Sequence, residues 1–563
     1  MLSLLLLLPF LLLIVFLFVP QHASSFFKWS TLAVTLVQLV VSLFLFVNFS
    51  FSHSGNLFSA EGFQYVEKID WIDLNLGTFG KLSIDYFIGI DGLSMSMVLL
   101  STIVMLVATL SSWNITKHVK GYFALFAILN ATVIGCFVAL DFFLFYLFFE
   151  FMLLPMYFLI GVWGGPRKEY AAIKFFLFTL LGSIFILIVM IGLYNSVIDP
   201  IATAQNMGLK DMSGKVLPLH IKEVQKLLSA NLIPSEKLVH SFSLLQMGDI
   251  HNYIPDSVFH HSFASKILGH APRSLAFLAL FIGFAIKLPL VPLHTWLPDA
   301  HVEAPTPISV VLAGVLLKVG GYGLLRIGYV IFPQEAMSYA WIAGLLGVIS
   351  ILYGAYNALA QDDLKKMIAY SSVSHMGFVM LGIASGTVEG ITGAVYQLFS
   401  HGIISSMLFV LVGVIYERTG NRHITSYAGL IHKMPAYTAL IMIAFFASLG
   451  LPGFSGFIAE LFVFLGAFAS SSVNGLLPRW MALVSLIGII IGAGYYLWAL
   501  QRMFFGKLWL KNEAWQEKIK DLTIREYIML VPLAVLTLLL GIFPNWIIDT
   551  MQFSVNQLVG LLR

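Results

Sequence analysis

The chain has 563 residues, of which 59% are hydrophobic and only 10% are charged. Soluble domains carry roughly a quarter charged residues, so this composition excludes a soluble enzyme and predicts a polytopic protein embedded in the lipid bilayer. A net charge of +3 without a basic tract argues against nucleic acid as a partner, and the single cysteine, Cys136, excludes internal disulfides, thiolate metal sites and Fe–S clusters.

Apolar segments of about 18–25 residues recur along the whole chain, and each can cross a bilayer as a helix. The predicted fold is therefore all-α, with about fourteen transmembrane helices. The first segment lacks a basic flank and a small-residue cleavage site, so it is interpreted as an uncleaved span. The predicted spans lie near 2–19, 30–50, 92–112, 121–140, 142–162, 172–195, 274–294, 306–330, 338–360, 368–387, 391–416, 436–470, 480–503 and 527–547.

Charged residues in the short loops predict the orientation of the spans. Lysine and arginine concentrate on one side, and short basic loops of this kind face the cytoplasm. Both termini are then expected outside a bacterial-type inner membrane, together with an acidic loop at 51–91 and a long segment at 197–272. Within that long segment, the apolar spacing from Ile221 to Leu228 predicts a short amphipathic helix that lies on the membrane or on a neighbour.

Two spans are interrupted by proline or glycine. The seventh carries several prolines directly after Lys287, and the twelfth carries Gly450, Pro452 and Gly453 ahead of Glu460. Proline removes a backbone donor and clashes with the preceding turn, so both helices are expected to open there. Unwound backbone at membrane depth must be buried in protein or line a cavity.

The two breaks lie five spans apart, and an odd offset reverses the topology of the second copy. This predicts two inverted five-helix repeats, spans 4–8 and spans 9–13. The resulting parts of the chain are 1–120 with three helices and the acidic loop, 121–330 as the first repeat with an external insertion at 197–272, 338–503 as the second repeat, and 504–563 with a C-terminal loop and helix.

Four ionisable side chains lie deep within apolar runs, whereas every other lysine and arginine is predicted in a loop or near a helix end. They are Glu150, Lys287, Lys318 and Glu460. A charge at the centre of a bilayer costs roughly 2.5–3.5 kcal/mol on insertion scales. Side chains retained at that cost usually face partners or water, and they commonly carry ions.

Glu150 and Lys287 are predicted to form a pair. Burial disfavours both charges and pairing favours both, so a small movement of the carboxylate can load or release a proton at the lysine. The alternative is a fixed ion pair that holds two helices together. That alternative is weaker, because a buried ion pair stabilises poorly in comparison with apolar packing.

The remaining deep residues suggest a path for protons. Lys318 has no acidic residue in its own helix, and many apolar residues separate it from an interface to which it could snorkel. Glu460 is interpreted as the last carboxylate of a relay or, alternatively, as a charge favoured by the dipole of a half-helix. His401 lies mid-span and can carry a proton near neutral pH. A lone histidine is often a packing residue, but polar neighbours favour a functional role here: Gln397, Ser400, Ser405 and Ser406.

His375, His294 and Lys174 are weaker candidates for proton transfer, and His301 stands near the seventh-span break. Asp141 is interpreted as a helix-end residue. The histidines of the long external segment have no spacing typical of a zinc site, so no metal site is predicted.

Four stretches of sequence carry a family resemblance. They are FEFMLLPMYFLIGVWGG around residue 150, FAIKLPLVPLHTWLPDAHVEAPTPISVVLAGVLLKVGGYGLLR from 284, DDLKKMIAYSSVSHMGFV from 362 and LPGFSGFIAELFVFLG from 451. Through them the chain resembles, from about residue 85 onwards, the antiporter-like membrane subunits of respiratory complex I, the proton-pumping NADH-quinone oxidoreductase. The similarity is greatest to the M or chain-4 type of subunit.

The resemblance implies a proton-translocating subunit with an assigned set of residues. In this family the positions that match Glu150 and Lys287 form a modulating pair. The positions that match Lys318 and His401 continue a central hydrophilic axis, and the position of Glu460 ends it. A glutamate at that last position, and a C-terminal end without a long lateral helix, are similar to the M type and unlike the L type.

The resemblance also implies what the chain leaves to its partners. No cofactor is expected on this chain, whereas NADH, FMN, Fe–S clusters and quinone are expected on partner subunits. Electron transfer from NADH to quinone there would drive proton pumping here. The expected partners are other membrane-arm subunits of complex I, including the L-type and N-type antiporter-like subunits. The segment at 197–272 departs from the family pattern as an insertion.

Two other functions stay open at this point. Subunits of multi-subunit Na+/H+ antiporters share the same broken helices and buried charges. Alternatively, the chain is a passive membrane scaffold with fixed ion pairs, in which case substitutions at Lys287 and Lys318 would be silent.

Overall fold

The computed structural model describes residues 1–51, 56–75, 81–211, 215–267 and 269–563. Within these ranges the chain is mostly helical, and 12 helical stretches are long and apolar enough to cross a membrane. The predicted all-α membrane fold is therefore confirmed. The total of about fourteen spans and the inverted repeats stay predictions.

The elements follow one another along the chain with short connections, apart from the external segment. The N-terminal part contains α1 (Leu2–Phe18), α2 (Ser24–Val47), β1 (Gln64–Asn75), β2 (Lys81–Ile90), α3 (Gly92–Ser111), α4 (Val119–Val138), α5 (Phe142–Phe151), α6 (Leu153–Trp163) and α7 (Lys168–Ser196). The external segment and the middle of the chain contain α8 (Pro200–Met207), α9 (Pro218–Ser229), α10 (Leu244–Gly248), α11 (Pro272–Lys287), α12 (Trp296–Glu303), α13 (Thr306–Val311), α14 (Leu317–Gly323) and α15 (Pro333–Ser338). The C-terminal part contains α16 (Ala340–Leu359), α17 (Leu364–Ala384), α18 (Val388–Thr419), β3 (Tyr427–Ala428), α19 (Pro435–Ser448), α20 (Ser455–Val473), α21 (Arg479–Phe504), β4 (Trp509–Leu510), α22 (Trp515–Lys518), α23 (Ile524–Ile542) and α24 (Asn545–Leu561).

The stretches of membrane-spanning length are α2, α3, α4, α5 with α6, α7, α13 with α14, α16, α17, α18, α20, α21 and α23. The helices α1 and α19 are apolar but shorter. The central helices α17 and α18 and the combined α13 and α14 are almost entirely buried, whereas α2, α7, α21 and α23 expose apolar faces to the surroundings. A buried centre with lipid-facing helices around it suits a protein that keeps polar groups inside a membrane.

The acidic loop at 51–91 contains an antiparallel hairpin that was not predicted from the sequence. β1 pairs with β2, and Lys68 on one strand lies 2.9 Å from Asp85 on the other. Ile88 and Ile90 are buried in the main core. Opposite charges across a strand pair stabilise such a ribbon. The many carboxylates of this region interrupt the alternation of apolar and polar residues that predicts a strand.

The long external segment has a small core of its own. α9 contains the predicted apolar spacing, but Val224 and Leu228 pack against Ile198 and Leu238 of the same segment. The helix therefore buries Val224 and Leu228 within the segment, a contact that was not predicted. Its position on the membrane or on a neighbour stays a prediction. Apolar spacing indicates which face of a helix is buried, but it does not indicate the surface that covers it.

Both predicted breaks are present. α11 ends at Lys287, and α12 begins only at Trp296. Likewise α19 ends at Ser448, and α20 begins at Ser455. Between the latter two helices Gly453 has a φ of 98°, a conformation that favours glycine because it has no Cβ. The two breaks bring unwound backbone next to the buried charges.

Two further irregularities were not predicted. α5 ends at Phe151, because Pro155 has no N–H group to donate to the Phe151 carbonyl. The eighth span contains π-helical turns over Leu312–Leu316 and Leu324–Tyr329. Such wide turns are frequent at functional sites, and Lys318 lies between the two.

Asp141 caps the start of α5, in line with its interpretation as a helix-end residue. Its carboxylate accepts a hydrogen bond of 2.9 Å from the N–H of Leu144. The side chain is buried, and this burial raises the pKa to about 7, with a further contribution from the charge of Asp85. The hydrogen bond from Leu144 opposes this shift but is the smaller effect.

We expect Asp141→Asn to stabilise the protein at pH 8 by on the order of a few kcal/mol and to have little effect near pH 4. A carboxyl whose pKa rises on folding destabilises the folded state when ionised, so stability falls between the unfolded pKa near 4 and the folded pKa of about 7. Asparagine keeps the cap without the charge. Thermal unfolding of the purified protein in detergent at both pH values measures the difference. An effect of equal size at the two pH values would contradict the assignment.

Candidate functional site

Lys287 is the last residue of α11 and is only 2% exposed. Its ammonium donates a hydrogen bond of 3.3 Å to the backbone carbonyl oxygen of Phe149. It also lies 3.7 Å from the centre of the Phe149 aromatic ring. A desolvated ammonium gains about 2 kcal/mol or more from such a ring contact. The Lys287 charge is thus held by an aromatic face and a backbone carbonyl.

Glu150 does not contact Lys287 directly. Among the described residues, no ion pair within 4.0 Å joins the two side chains, and Oε2 of Glu150 is buried without a hydrogen-bond partner. The predicted direct pair is therefore not formed. Glu150 is nevertheless the next residue after Phe149, and its charge still acts on the Lys287 ammonium.

Lys318 is completely buried in α14 and makes a short contact with a histidine. Its Nζ lies 2.9 Å from Nδ1 of His401 in α18, and it also donates to the carbonyl oxygen of Ala313. Ala313 belongs to the first π-helical turn, five residues before Lys318. The wider turn aims this carbonyl at the lysine, as the usual four-residue spacing of an α-helix would not.

His401 continues from Lys318 towards a second histidine. Its ring centre lies 5.4 Å from that of His375 in α17, and its Nε2 lies 3.1 Å from Oγ of Ser372. The sequence ranked His375 as a weaker candidate, but the fold places it at the centre of the site. One histidine in each of two neighbouring buried helices gives the site two imidazoles that can accept and release a proton.

Glu460 lies at the far end of this line. Its Oε1 is 3.7 Å from Nδ1 of His375, and the side chain is 5% exposed. The first turn of α20 contains no acidic residue, which weakens the alternative of a charge at the end of a half-helix. A small cavity of about 10 Å³ is lined by both histidines, Gln397 and Glu460, near the size that one water molecule needs. Lys318, His401, His375 and Glu460 are called the buried relay below.

The polar neighbours of His401 contribute unequally. Gln397 lies with Nε2 3.3 Å from Nδ1 of His375, so it touches the buried relay. Ser400 instead bonds to Ser455 at 2.7 Å, and both Ser405 and Ser406 donate to a carbonyl of their own helix. Only the first of the four predicted neighbours therefore belongs to the site.

Lys174 and His294 lie apart from the buried relay, whereas His301 interacts electrostatically with both Lys318 and His401. Lys174 forms an ion pair of 2.6 Å with Asp299, and the ring of His294 lies 5.0 Å from that of Tyr353. His301 is buried and stacks on Phe409. In the part of the chain that the structure describes, no group of three or more His, Cys, Asp or Glu is placed to hold a metal ion.

The predicted residues thus form two groups. Within the described ranges, no hydrogen bond or ion pair joins Lys287 to Lys318. The helices that carry them do touch, because a Cβ atom at Gly320 would lie 2.8 Å from the carbonyl oxygen of Phe284. Because glycine has no side chain, Gly320 lets α14 pack directly against the end of α11.

Sequence reasoning missed the burial of three basic residues, Arg273, Arg326 and Lys365. Arg273 forms an ion pair of 3.0 Å with Glu335. Arg326 and Lys365 stand near helix ends as predicted, yet both are buried. Arg326 forms an ion pair with Asp91, and Lys365 donates to the carbonyl oxygen of Ala304 at 2.6 Å. For Arg326 the apolar sequence on both sides was an available signal. Lys365 follows two aspartates in the sequence, where nothing distinguishes it from a solvated residue.

We expect Arg326→Leu to destabilise the protein by about 3–5 kcal/mol, because it leaves the Asp91 carboxylate buried without its cation. The double variant Arg326→Leu with Asp91→Asn should recover much of this loss, since asparagine keeps the hydrogen bond that caps α3 at Ser94 and carries no charge. Thermal unfolding in detergent compares the two variants. Equal losses in both would show that the ion pair is not the cause.

Comparison with known proteins gives one consistent family. Residues 139–209 and 227–491 match the family described as NADH:quinone oxidoreductase/Mrp antiporter, transmembrane. NADH-quinone oxidoreductase subunit M of Rhodobacter capsulatus is 40% identical over 532 residues, which are 94% of this chain and 90% of that protein. A chain of respiratory complex I from Thermus thermophilus superimposes with a TM-score of 0.76 and 28% identity, covering 100% of both chains. A chain of the Mrp complex from Dietzia sp. gives a TM-score of 0.72 at 19% identity over 100% and 99% of the two chains, which shows a shared fold.

These matches also bear on the predicted insertion. The family match resumes at residue 227, so only 210–226 lies outside it within the long external segment. The insertion of the whole of 197–272 stays a prediction. The residues outside the match include most of α9, from Pro218 to Lys226, and Val224 among them packs in the small external core.

Proposed function

Because this chain belongs to the family of NADH:quinone oxidoreductase/Mrp antiporter membrane subunits, we propose that it is the M-type proton-translocating subunit of an NADH-quinone oxidoreductase. One observation carries the proposal for its own residues. Four buried side chains, Lys318, His401, His375 and Glu460, follow one another through the helices α14, α18, α17 and α20. The 2.9 Å from Lys318 to His401 suits direct proton transfer, and the small cavity between the histidines and Glu460 has room for the water that the two longer steps require. The protein is an integral membrane protein, and its task is to move protons while its partners transfer electrons.

Proton transfer begins at Lys318 in this proposal. The Nζ–H bond of Lys318 breaks as a new bond forms at Nδ1 of His401, over 2.9 Å. The proton then crosses the small cavity to His375 and reaches Oε1 of Glu460, 3.7 Å from the His375 ring. Movement against 100 mV costs about 2.3 kcal/mol for each proton, so the loading of Lys318 must be tied to redox energy.

Glu150 and Lys287 supply that tie. With the ammonium of Lys287 on the ring of Phe149, its charge is not neutralised by Glu150 and it raises the potential around α14. Transfer of a proton from Lys318 to His401 is then favoured. When the Glu150 carboxylate takes over the ammonium, the potential falls and Lys318 can be loaded again.

We expect Lys287→Ala to lower coupled turnover about tenfold or more while the complex still assembles. Loss of the ammonium removes the charge that drives protons from Lys318. Proton pumping by inverted membrane vesicles, with NADH as the donor, measures the effect. An assembled variant with full turnover would exclude this role for Lys287.

The partners hold the redox chemistry in this proposal. NADH, FMN, Fe–S clusters and quinone bind to other subunits, and the only cysteine of this chain is buried within α4. Neighbours in the membrane arm include L-type and N-type antiporter-like subunits. Short basic loops favour an inner membrane of bacterial type with both termini outside. The repeats 121–330 and 338–503 form the two halves around the site, flanked by 1–120 and 504–563.

Affinity purification from the native membrane in mild detergent tests the assignment. NADH–quinone reductase activity together with flavin and Fe–S absorbance in the eluate is the expected result. A colourless, inactive eluate that contains other antiporter-type subunits would instead favour a multi-subunit Na+/H+ antiporter.

A further inference from the structure

The two histidines of the buried relay are each bonded on the far side of the ring to a hydroxyl group. Nε2 of His401 lies 3.1 Å from Oγ of Ser372, and Nε2 of His375 lies 3.2 Å from Oγ of Ser448. A hydroxyl group has one proton to donate. Where that proton goes decides whether the hydroxyl donates to the imidazole or accepts from it.

Ser372 has a second hydrogen-bond partner besides His401, a backbone carbonyl that can only accept. Its Oγ donates to the carbonyl oxygen of Ile368 at 3.1 Å, one turn earlier in α17. Ser372 can therefore only accept a hydrogen bond from His401, which requires a proton on Nε2. A neutral His401 then has its free lone pair on Nδ1, the nitrogen that faces Lys318.

The same reasoning applies to His375, which is connected to the Ile368 carbonyl through three hydroxyl groups. Ser371 donates to the carbonyl oxygen of Ile368 at 2.8 Å, and the hydroxyl of Tyr496 donates to Ser371 at 2.9 Å. Ser448 lies 2.6 Å from the Tyr496 oxygen, and with the Tyr496 proton already donated, Ser448 must be the donor. Ser448 is left to accept from Nε2 of His375.

Both hydroxyl chains end on one carbonyl oxygen, that of Ile368. The opposite nitrogens agree with this direction of bonding. Nδ1 of His375 faces the amide nitrogen of Gln397 at 3.3 Å, and amide nitrogens only donate. Nδ1 of His401 faces the ammonium of Lys318, which also only donates.

We propose that Ser372 and the Ser371–Tyr496–Ser448 chain are positioning groups that hold both histidines with a permanent proton on Nε2, so that each loads and releases its mobile proton through Nδ1 alone. This inference rests on the proposed function of the buried relay. It means that neither ring must exchange its tautomer during turnover. A histidine that receives a proton on one nitrogen and releases it from the other has to make that exchange each time.

The proton and bond balance is simple. An Nζ–H bond of Lys318 breaks and an Nδ1–H bond of His401 forms, which gives an imidazolium with protons on both nitrogens. In this proposal the Lys318 amine, now neutral, then moves away from Nδ1 of His401. The Nδ1–H bond breaks, and the proton moves through the shared cavity to Nδ1 of His375 and on to Oε1 of Glu460. The Nε2–H bonds stay intact throughout.

The test compares variants in native membrane vesicles that contain the assembled complex. Ser372→Ala and Tyr496→Phe each free one histidine to adopt the other tautomer, and both are expected to slow proton pumping about tenfold and to increase the solvent deuterium isotope effect. Ser372→Thr keeps the hydroxyl and should retain pumping. Tyr396→Phe is the matched control, because Tyr396 is a buried tyrosine that bonds to a backbone carbonyl outside the relay.

Wild-type pumping in both Ser372→Ala and Tyr496→Phe would overturn the inference. Loss of pumping in Ser372→Thr equal to that in Ser372→Ala would also overturn it, because the side chain would then matter through its volume. If Ser372→Ala fails to assemble, Tyr496→Phe and Ser448→Ala decide alone, since they leave α17 unchanged. Lys318→Met distinguishes a failure of this inference from a failure of the proposed function. If Lys318→Met stops pumping while the hydroxyl variants pump normally, only this inference is contradicted. If Lys318→Met itself pumps normally, the proposed function is contradicted.

Discussion

Lys318→Met is expected to abolish proton pumping, with a loss of about 100-fold or more in the rate of coupled turnover. Methionine has a similar length and suits an apolar interior, so the fold should survive. What disappears is the ammonium that lies 2.9 Å from His401. Without it the buried relay has no first donor, and no other lysine touches His401 among the described residues.

Lys318→Arg makes the same experiment sharper. Arginine keeps a positive charge but does not release its proton in a protein. A relay therefore fails with arginine, whereas a site that needs only a fixed charge would continue to work. Quenching of a pH-sensitive dye by vesicles supplied with NADH measures pumping, and Lys433→Met, at an exposed position, controls for the loss of a lysine. Pumping by Lys318→Arg at the wild-type rate would contradict proton transfer through this residue.

Glu460→Gln is expected to have an effect of similar size, about 100-fold or more on pumping. The amide has the shape of the carboxyl group but cannot take up a proton, so His375 keeps its proton and the line is blocked. The small space around Glu460 favours this isosteric change. Its Oε2 stands so close to Gly450 that a Cβ there would collide with it.

Two variants complete the second experiment. Glu460→Asp keeps a carboxyl group that is shorter by one methylene, so it should retain part of the pumping rate. Glu389→Gln, in the exposed first turn of α18, controls for the loss of a carboxylate. If Glu460→Gln pumped normally in an assembled complex, the end of the relay would have to be sought at another residue.

Features that depend on local sequence were predictable. Proline and glycine broke the two helices where they stand, because their effects act within one turn. Lys318 and Glu460 were predicted as functional residues, because a charge within an apolar span is costly and is usually retained only where it has a function. Each of these inferences requires only the neighbours of the residue along the chain.

Features that depend on packing between distant segments were not predictable. The sequence around His375 does not distinguish it from other helical histidines. Its place in the site depends on the packing of α17 against α18 and α20. The Lys287 ammonium lies on the ring of Phe149 and not against the adjacent Glu150. The spacing of residues along the sequence does not indicate which of two neighbouring side chains a distant lysine contacts. The burial of Arg326 depends on Asp91, which comes from a different span far away in the sequence.

The π-helical turn before Lys318 has a further consequence for the direction in which this side chain points. Each residue of an α-helix advances the chain by about 100° around the axis. A turn that holds one extra residue therefore rotates everything after it by that angle relative to what precedes it. Removal of one residue from Leu312–Leu316 would restore ordinary winding and swing Lys318 roughly a quarter of a circle away from His401. The azimuth of the lysine is thus set by the length of the segment as well as by the identity of its residues.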